Sequence, residues 1–96
     1  MHVLAVSLVL LHGVVMRGPT KPVCEMATPC SEPAAHVRLL FHGTRPDVLT
    51  QTDARGRYSV RLRPGRYVVR VQRIQPTVLV VRRAMRADFN IDTGIR

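Results

Sequence analysis

The stretch from Thr52 to Val71, TDARGRYSVRLRPGRYVVRV, most constrains what this chain can fold into. Tyr58, Val60 and Leu62 alternate with Arg57, Ser59, Arg61 and Arg63. After Pro64-Gly65, Tyr67, Val69 and Val71 alternate with Arg66, Val68, Arg70 and Gln72. A period of two sends successive side chains to opposite faces of a strand, so one face enters a core and the other, mostly arginine, meets water. The turns agree with the strands. Asp53-Ala54-Arg55-Gly56 begins with an aspartate, whose carboxylate can accept a backbone N–H. It ends with a glycine, for which a positive φ is cheap. Pro64-Gly65 marks a second reversal. L-proline fixes φ at about −65°, which suits type I and II turns rather than the primed turns of tight hairpins. This corner is therefore either a hairpin or an arch to a second sheet.

The remaining segments repeat the pattern. A strand is expected over residues 10–17, ending at Gly18-Pro19. Residues 19–35, rich in Pro, Thr, Ala and Ser, form a long irregular segment of the kind that carries variation or function. Val37, Leu39 and Phe41 alternate with His36, Arg38, Leu40 and His42. A short strand over residues 48–52 and an apolar strand over residues 77–81 follow. Arg82-Arg83-Ala84-Met85 reverses the chain, and Ala87, Phe89, Ile91 and Thr93 alternate with Asp88, Asn90 and Asp92. About seven short strands with no amphipathic helical period predict an all-β sandwich.

Thr52-Asp53, Gly56, Tyr58, Val60, Leu62, Pro64-Gly65, Tyr67, Val69 and Val71 together resemble the carboxypeptidase regulatory-like domain. Gly18-Pro19-Thr20 running to Pro22-Val23-Cys24, and the end Asp92-Thr93-Gly94-Ile95-Arg96, look like its small bacterial stand-alone members. The resemblance covers residues 12–96. It implies a Greek-key β-sandwich of about seven strands, transthyretin-like (prealbumin-like) or immunoglobulin-like, close to the B-type repeats of bacterial surface adhesins. It implies no particular site, because one fold hosts many functions. The hydroxyisourate hydrolase branch of the transthyretin-like group ends in Tyr-Arg-Gly-Ser; this chain ends differently, and the activity is not carried over. The isopeptide bond of adhesin repeats would need Lys21 and Asn90, and Asn90 has the outward parity of its strand.

The 96 residues suffice for one domain with a modest aliphatic core, since there is no tryptophan. Residues 1–9 read as an apolar extension or signal-peptide remnant and residues 10–96 as the sandwich. The run Val3–Leu11 is too short to span a membrane. It has the length of a signal-peptide core but lacks a basic residue before it and a small-residue cleavage site after it. Export to the envelope or beyond is expected; without a signal the protein is cytoplasmic.

The formal charge is +9, and Lys21 is the only lysine. Arg61, Arg63, Arg66 and Arg70 make a candidate anion-binding surface, weighed against an ordinary solvated sheet face. No RNA-binding aromatic motif accompanies them, so nucleic acid is the less favoured partner; an unidentified protein or envelope polymer is preferred. Cys24 and Cys30 do not have zinc-ligand or redox-motif spacing. A disulfide closing their loop is expected in an exported protein and contributes about 2 kcal/mol; two free thiols are the cytosolic alternative.

No residue set carries chemistry. His36 and His42 share a parity but stand about 20 Å apart on an extended strand, too far for one ion. Asp53 is explained by its turn and Asp88 and Asp92 by arginine partners, no pair of acids has glycosidase or aspartic-protease context, and no serine has nucleophile surroundings. The expectation is a non-catalytic module without metal or cofactor, a monomer or a weak dimer paired through edge strands. A polyanion binder is the alternative, and a transthyretin-like hydrolase the second.

Overall fold

Two antiparallel-rich sheets bury the alternating apolar positions between them. The computed structural model describes residues 7–20, 23, 30–72 and 74–93. Its strands are β1 (Val9–Gly18), β2 (Glu32–Pro33), β3 (Arg38–His42), β4 (Val48–Gln51), β5 (Arg57–Leu62), β6 (Gly65–Val71), β7 (Thr77–Val81), β8 (Met85–Arg86) and β9 (Phe89–Asp92). In the first sheet β1 is central. It pairs antiparallel with β5 and then β2 along one edge, and parallel with β8 and then β9 along the other. The second sheet has the order β4-β3-β6-β7, antiparallel throughout. The expected strands are present. The two additions, β2 and β8, are two-residue pieces too short to show a period.

The Pro64-Gly65 corner is an arch. β5 belongs with β1 and β6 with β3 and β7, so the chain changes sheets between Leu62 and Gly65. Tyr67 fastens this corner by donating its hydroxyl to the Arg63 carbonyl at 2.6 Å. Both sheets feed one core. Leu11, Val15, Tyr58, Leu62, Phe89 and Ile91 come from the first, and Leu39, Phe41, Tyr67, Val69, Val71 and Val81 from the second. Tyr58 stands between Phe41 and Phe89, with ring centroids 6.3 and 6.1 Å away and tilted planes. Such tilted pairs contribute about 0.5–1.5 kcal/mol beyond their buried area.

The Asp53 turn forms as its residues dictate. The Asp53 carboxylate accepts the Arg55 and Arg57 amides at 2.8 and 2.9 Å, and these bonds, Arg57's first, hold its pKa below the ordinary 3.8. Gly56 has φ +76°, and a Cβ there would lie 2.5 Å from the Val15 carbonyl oxygen. Thr52 is the buried polar residue of the core. Its hydroxyl accepts the Val37 amide at 2.8 Å and donates to the Ala34 carbonyl at 2.6 Å. It thereby ties the end of β4 to the segment entering β3.

One expectation fails locally. His36 does not share a strand with His42: it occupies a turn with φ 57°, and β3 starts only at Arg38. Its amide donates to the Thr52 carbonyl at 3.2 Å, so the Thr52 anchorage takes precedence over strand extension.

Candidate functional site

In a two-sheet sandwich the outer faces meet water and are expected to be polar. The outer face of β4-β3-β6-β7 departs from this. Leu40 and Val68 lie at outward positions, Leu40 between Arg38 and His42 and Val68 between Arg66 and Arg70. Leu40 is paired with Leu49 of β4 and with Arg70 of β6. Val68 is paired with His42 of β3 and Val78 of β7, and Arg66 with Val80. An aliphatic stripe therefore crosses the sheet diagonally, from Leu49 through Leu40 and Val68 to Val78 and Val80. Leu49 is 66% exposed, Val78 51% and Val80 47%.

Arginines border the stripe. Arg38 and Arg70 lie at one side, Arg66 at the other, and none of the ion pairs among the described residues uses them. A depression of about 470 Å³ is lined by His36, Arg38, Leu40, Arg70, Val71 and Gln72. Its described lining thus offers two guanidiniums, an imidazole and an amide beside an aliphatic floor, and no carboxylate. Arg38 and Arg70 occupy adjacent outward rows on neighbouring strands, a diagonal separation of about 7–8 Å that long side chains can close onto one anion. The acid at the border, Asp47, is held 2.6 Å from His42 Nδ1.

The first sheet presents a different surface. A cleft of about 490 Å³ includes His12, Ser59, Arg57, Arg86 and Asp53. His12 is paired with Ser59 on one side and Arg86 on the other. Carboxylates stand among its cations: Arg86 Nε lies 3.1 Å from the Asp88 carboxylate, and Asp53 accepts the backbone amide of Arg57. A smaller depression of about 400 Å³, lined in part by Gly18, Cys30, Asn90 and Asp92, lies beside the cysteine-bearing segment.

Of the four arginines singled out in the sequence, the fold gathers three, centred on Arg66, and sets one apart: Arg63 lines a depression of about 290 Å³ together with Arg66. Arg66 and Arg70 share the outer face of β6. Arg61 is on the other sheet, paired with Leu10, and Arg63 is half-buried in the arch. The arch places Arg61 on the other sheet from Arg66 and Arg70 and holds Arg63 beside Arg66. Cys30 is half-buried, and its carbonyl accepts the Thr20 amide at 2.8 Å. Cys24 and Lys21 lie outside the described residues, so neither the disulfide nor an isopeptide pair is described. Asn90 is exposed, as its parity requires. His12, His36 and His42 stand on β1, in the turn before β3 and at the end of β3. Among the described residues no group of three or more His, Cys, Asp or Glu side chains converges to hold a metal ion. Among them also, no helix is long and apolar enough to cross a membrane.

The stripe residues were not singled out from sequence, although a signal existed. Once parity is assigned, Leu40 and Val68 are apolar at positions whose neighbours on the same face are Arg38, Arg66 and Arg70.

The backbone is similar to the crystal structure of a DUF3823 family protein from Bacteroides ovatus ATCC 8483. The TM-score is 0.62 and the sequence identity 13%, with 88% of this chain covered. The match spans 44% of that protein's length. At this identity the likeness shows the fold, an all-β sandwich. No family model and no curated protein matches the sequence.

Proposed function

We propose that this chain is a non-catalytic, exported β-sandwich of the carboxypeptidase regulatory-like, transthyretin-like kind, acting as a protein-interaction module at the cell envelope. Its working surface is the outer face of β4-β3-β6-β7. The carrying observation is the aliphatic stripe at positions that solvent would otherwise select as polar. Covering Leu49, Val78 and Val80 removes apolar area from water at about 25 cal/mol per Å², a driving force that requires a partner to be realised. Dispersal of His12, His36 and His42 over separate elements supports the non-catalytic reading. Export accounts for Cys24 and Cys30 as a disulfide, since such bonds persist in oxidising compartments.

The test has two parts. Protein recovered from its native cell, fraction by fraction, is weighed intact and titrated for thiols. A form outside the cytosol with no free thiol is expected; a full-length cytosolic form with two free thiols overturns export. A Leu49→Thr/Val78→Thr double variant is expected to keep its thermal midpoint and to lose its co-purifying partner. A partner retained at full yield overturns the assignment of the face.

A further inference from the structure

We infer that the Arg38–Arg70 depression is a carboxylate-binding subsite, and that it anchors an acidic, aliphatic-bearing polypeptide segment laid along the Leu40–Val78 stripe. The inference rests on the interaction reading above and adds the chemistry of the partner.

Two observations and the chemistry of guanidinium groups fix the partner. The depression offers the Arg38 and Arg70 guanidiniums, the His36 ring and the Gln72 amide, with no carboxylate among the described lining residues. Guanidinium groups recognise carboxylates through paired N–H donors, and those bonds gain strength where a partner excludes water. Leu40 lies in the floor of the same depression and is paired with Leu49, so the anion subsite opens directly onto the stripe. An occupant therefore needs a negative group and aliphatic side chains a few ångströms apart in one segment.

Charge complementarity decides among occupants. A second copy of the face would set Arg38, Arg66 and Arg70 against their own equivalents, in a chain of net charge +9. Nucleic acid would use the arginines but leave the aliphatic centre unmatched. Single strands bind on aromatic side chains, and both tyrosines here are buried. A lipid surface is ordinarily engaged through interfacial Trp and Tyr, and the chain has no tryptophan. An acidic polypeptide matches both the rim and the centre, the arrangement of an apolar interface core within a polar border.

The experiment is fluorescence anisotropy with the full chain and four labelled probes. These are a short peptide alternating glutamate with leucine, the same peptide with lysine for glutamate, polyglutamate, and a single-stranded oligonucleotide. Phosphatidylglycerol vesicles are tested by flotation. The glutamate–leucine peptide is expected to bind at least about tenfold more tightly than polyglutamate or the oligonucleotide. The lysine peptide and the vesicles are expected not to bind. Arg70→Glu and Leu40→Thr each weaken the peptide by about tenfold or more, while Arg61→Glu on the other sheet leaves it within about twofold. Equal binding of polyglutamate, preference for the oligonucleotide or vesicles, or equal loss with Arg61→Glu overturns the proposal. Loss of the native partner in Leu49→Thr/Val78→Thr without any peptide binding would overturn this chemistry alone and leave the interaction face standing.

Discussion

Asp88 accepts the Val14 amide hydrogen on its carboxylate at 2.8 Å, doing with a side chain what a strand carbonyl does elsewhere along β1. The last strand is interrupted here. β8 ends at Arg86, β9 begins at Phe89, and the Ala87 amide reaches back to the His12 carbonyl at 2.9 Å. The Tyr58 hydroxyl donates to the Ala87 carbonyl from within the core. The register against β1 is the same on both sides of the break, with Leu11 opposite Met85 and Val15 opposite Phe89, and Asp88 keeps the Val14 amide paired across it.

This contact is pH-sensitive. Arg86 first, then the Val14 amide, holds the Asp88 carboxyl below its ordinary 3.8. A depressed folded-state pKa means stability that is present above 3.8 and lost as pH falls through the lower folded value. Asp88→Ala is expected to cost about 1 kcal/mol at neutral pH by urea unfolding. The gap to wild type should close as pH drops below 3.8. A gap independent of pH would contradict it.

Tyr58 gives the opposite limb. Burial, followed by the charge of Asp88, pushes its phenol well above the ordinary 10. The folded state keeps that proton while the unfolded state releases it, so stability declines as pH rises past 10. Ultraviolet titration should show no tyrosinate from Tyr58 until the protein unfolds in alkali. Tyr58→Phe should lose about 1 kcal/mol at pH 7 and flatten this alkaline decline.

Two glycines separate steric demand from simple location in a strand. A Cβ on Gly13 would sit 1.9 Å from the Ala87 carbonyl oxygen, where β8 gives way to β9. At Gly65 the nearest atom to an added Cβ is 3.9 Å away, and no positive φ is involved. Gly13→Ala is expected to destabilise by about 3 kcal/mol or more, and Gly65→Ala by less than about 0.5 kcal/mol. Chemical denaturation of both variants checks the contrast.

Thr52→Val tests the buried tie between β4 and the approach to β3. The isosteric change removes the acceptor for Val37 and the donor to Ala34. It is expected to cost about 2–3 kcal/mol, with Thr52→Ser recovering most of it.

These contrasts also mark what a sequence can carry. The alternation of Tyr58, Leu62, Tyr67, Val69, Phe89 and Ile91 was legible because their outward neighbours, Val68 apart, are polar and mark the period. The turn at Asp53 and Gly56 was legible because its residue types are tied to its dihedral angles. Thr77-Val78-Leu79-Val80-Val81 was not, since four consecutive aliphatic residues hide which side faces inward; Val81 is buried and Val78 and Val80 are exposed. Nor was the grouping of arginines. Arg61 and Arg66 are near in sequence, but their separation depends on an arch that L-proline permits and does not require. The Arg38–Arg70 depression joins β3 to β6 across a long connection, and no local pattern reports such pairing.

The most direct test of the account is site-specific photocrosslinking in the native cell, with the reactive group placed at Val78 and, separately, at Ser59. The account predicts a discrete protein adduct at Val78, lost when Arg70→Glu is added, and none at Ser59. Adducts of equal yield at both positions, or one at Ser59 alone, would contradict it.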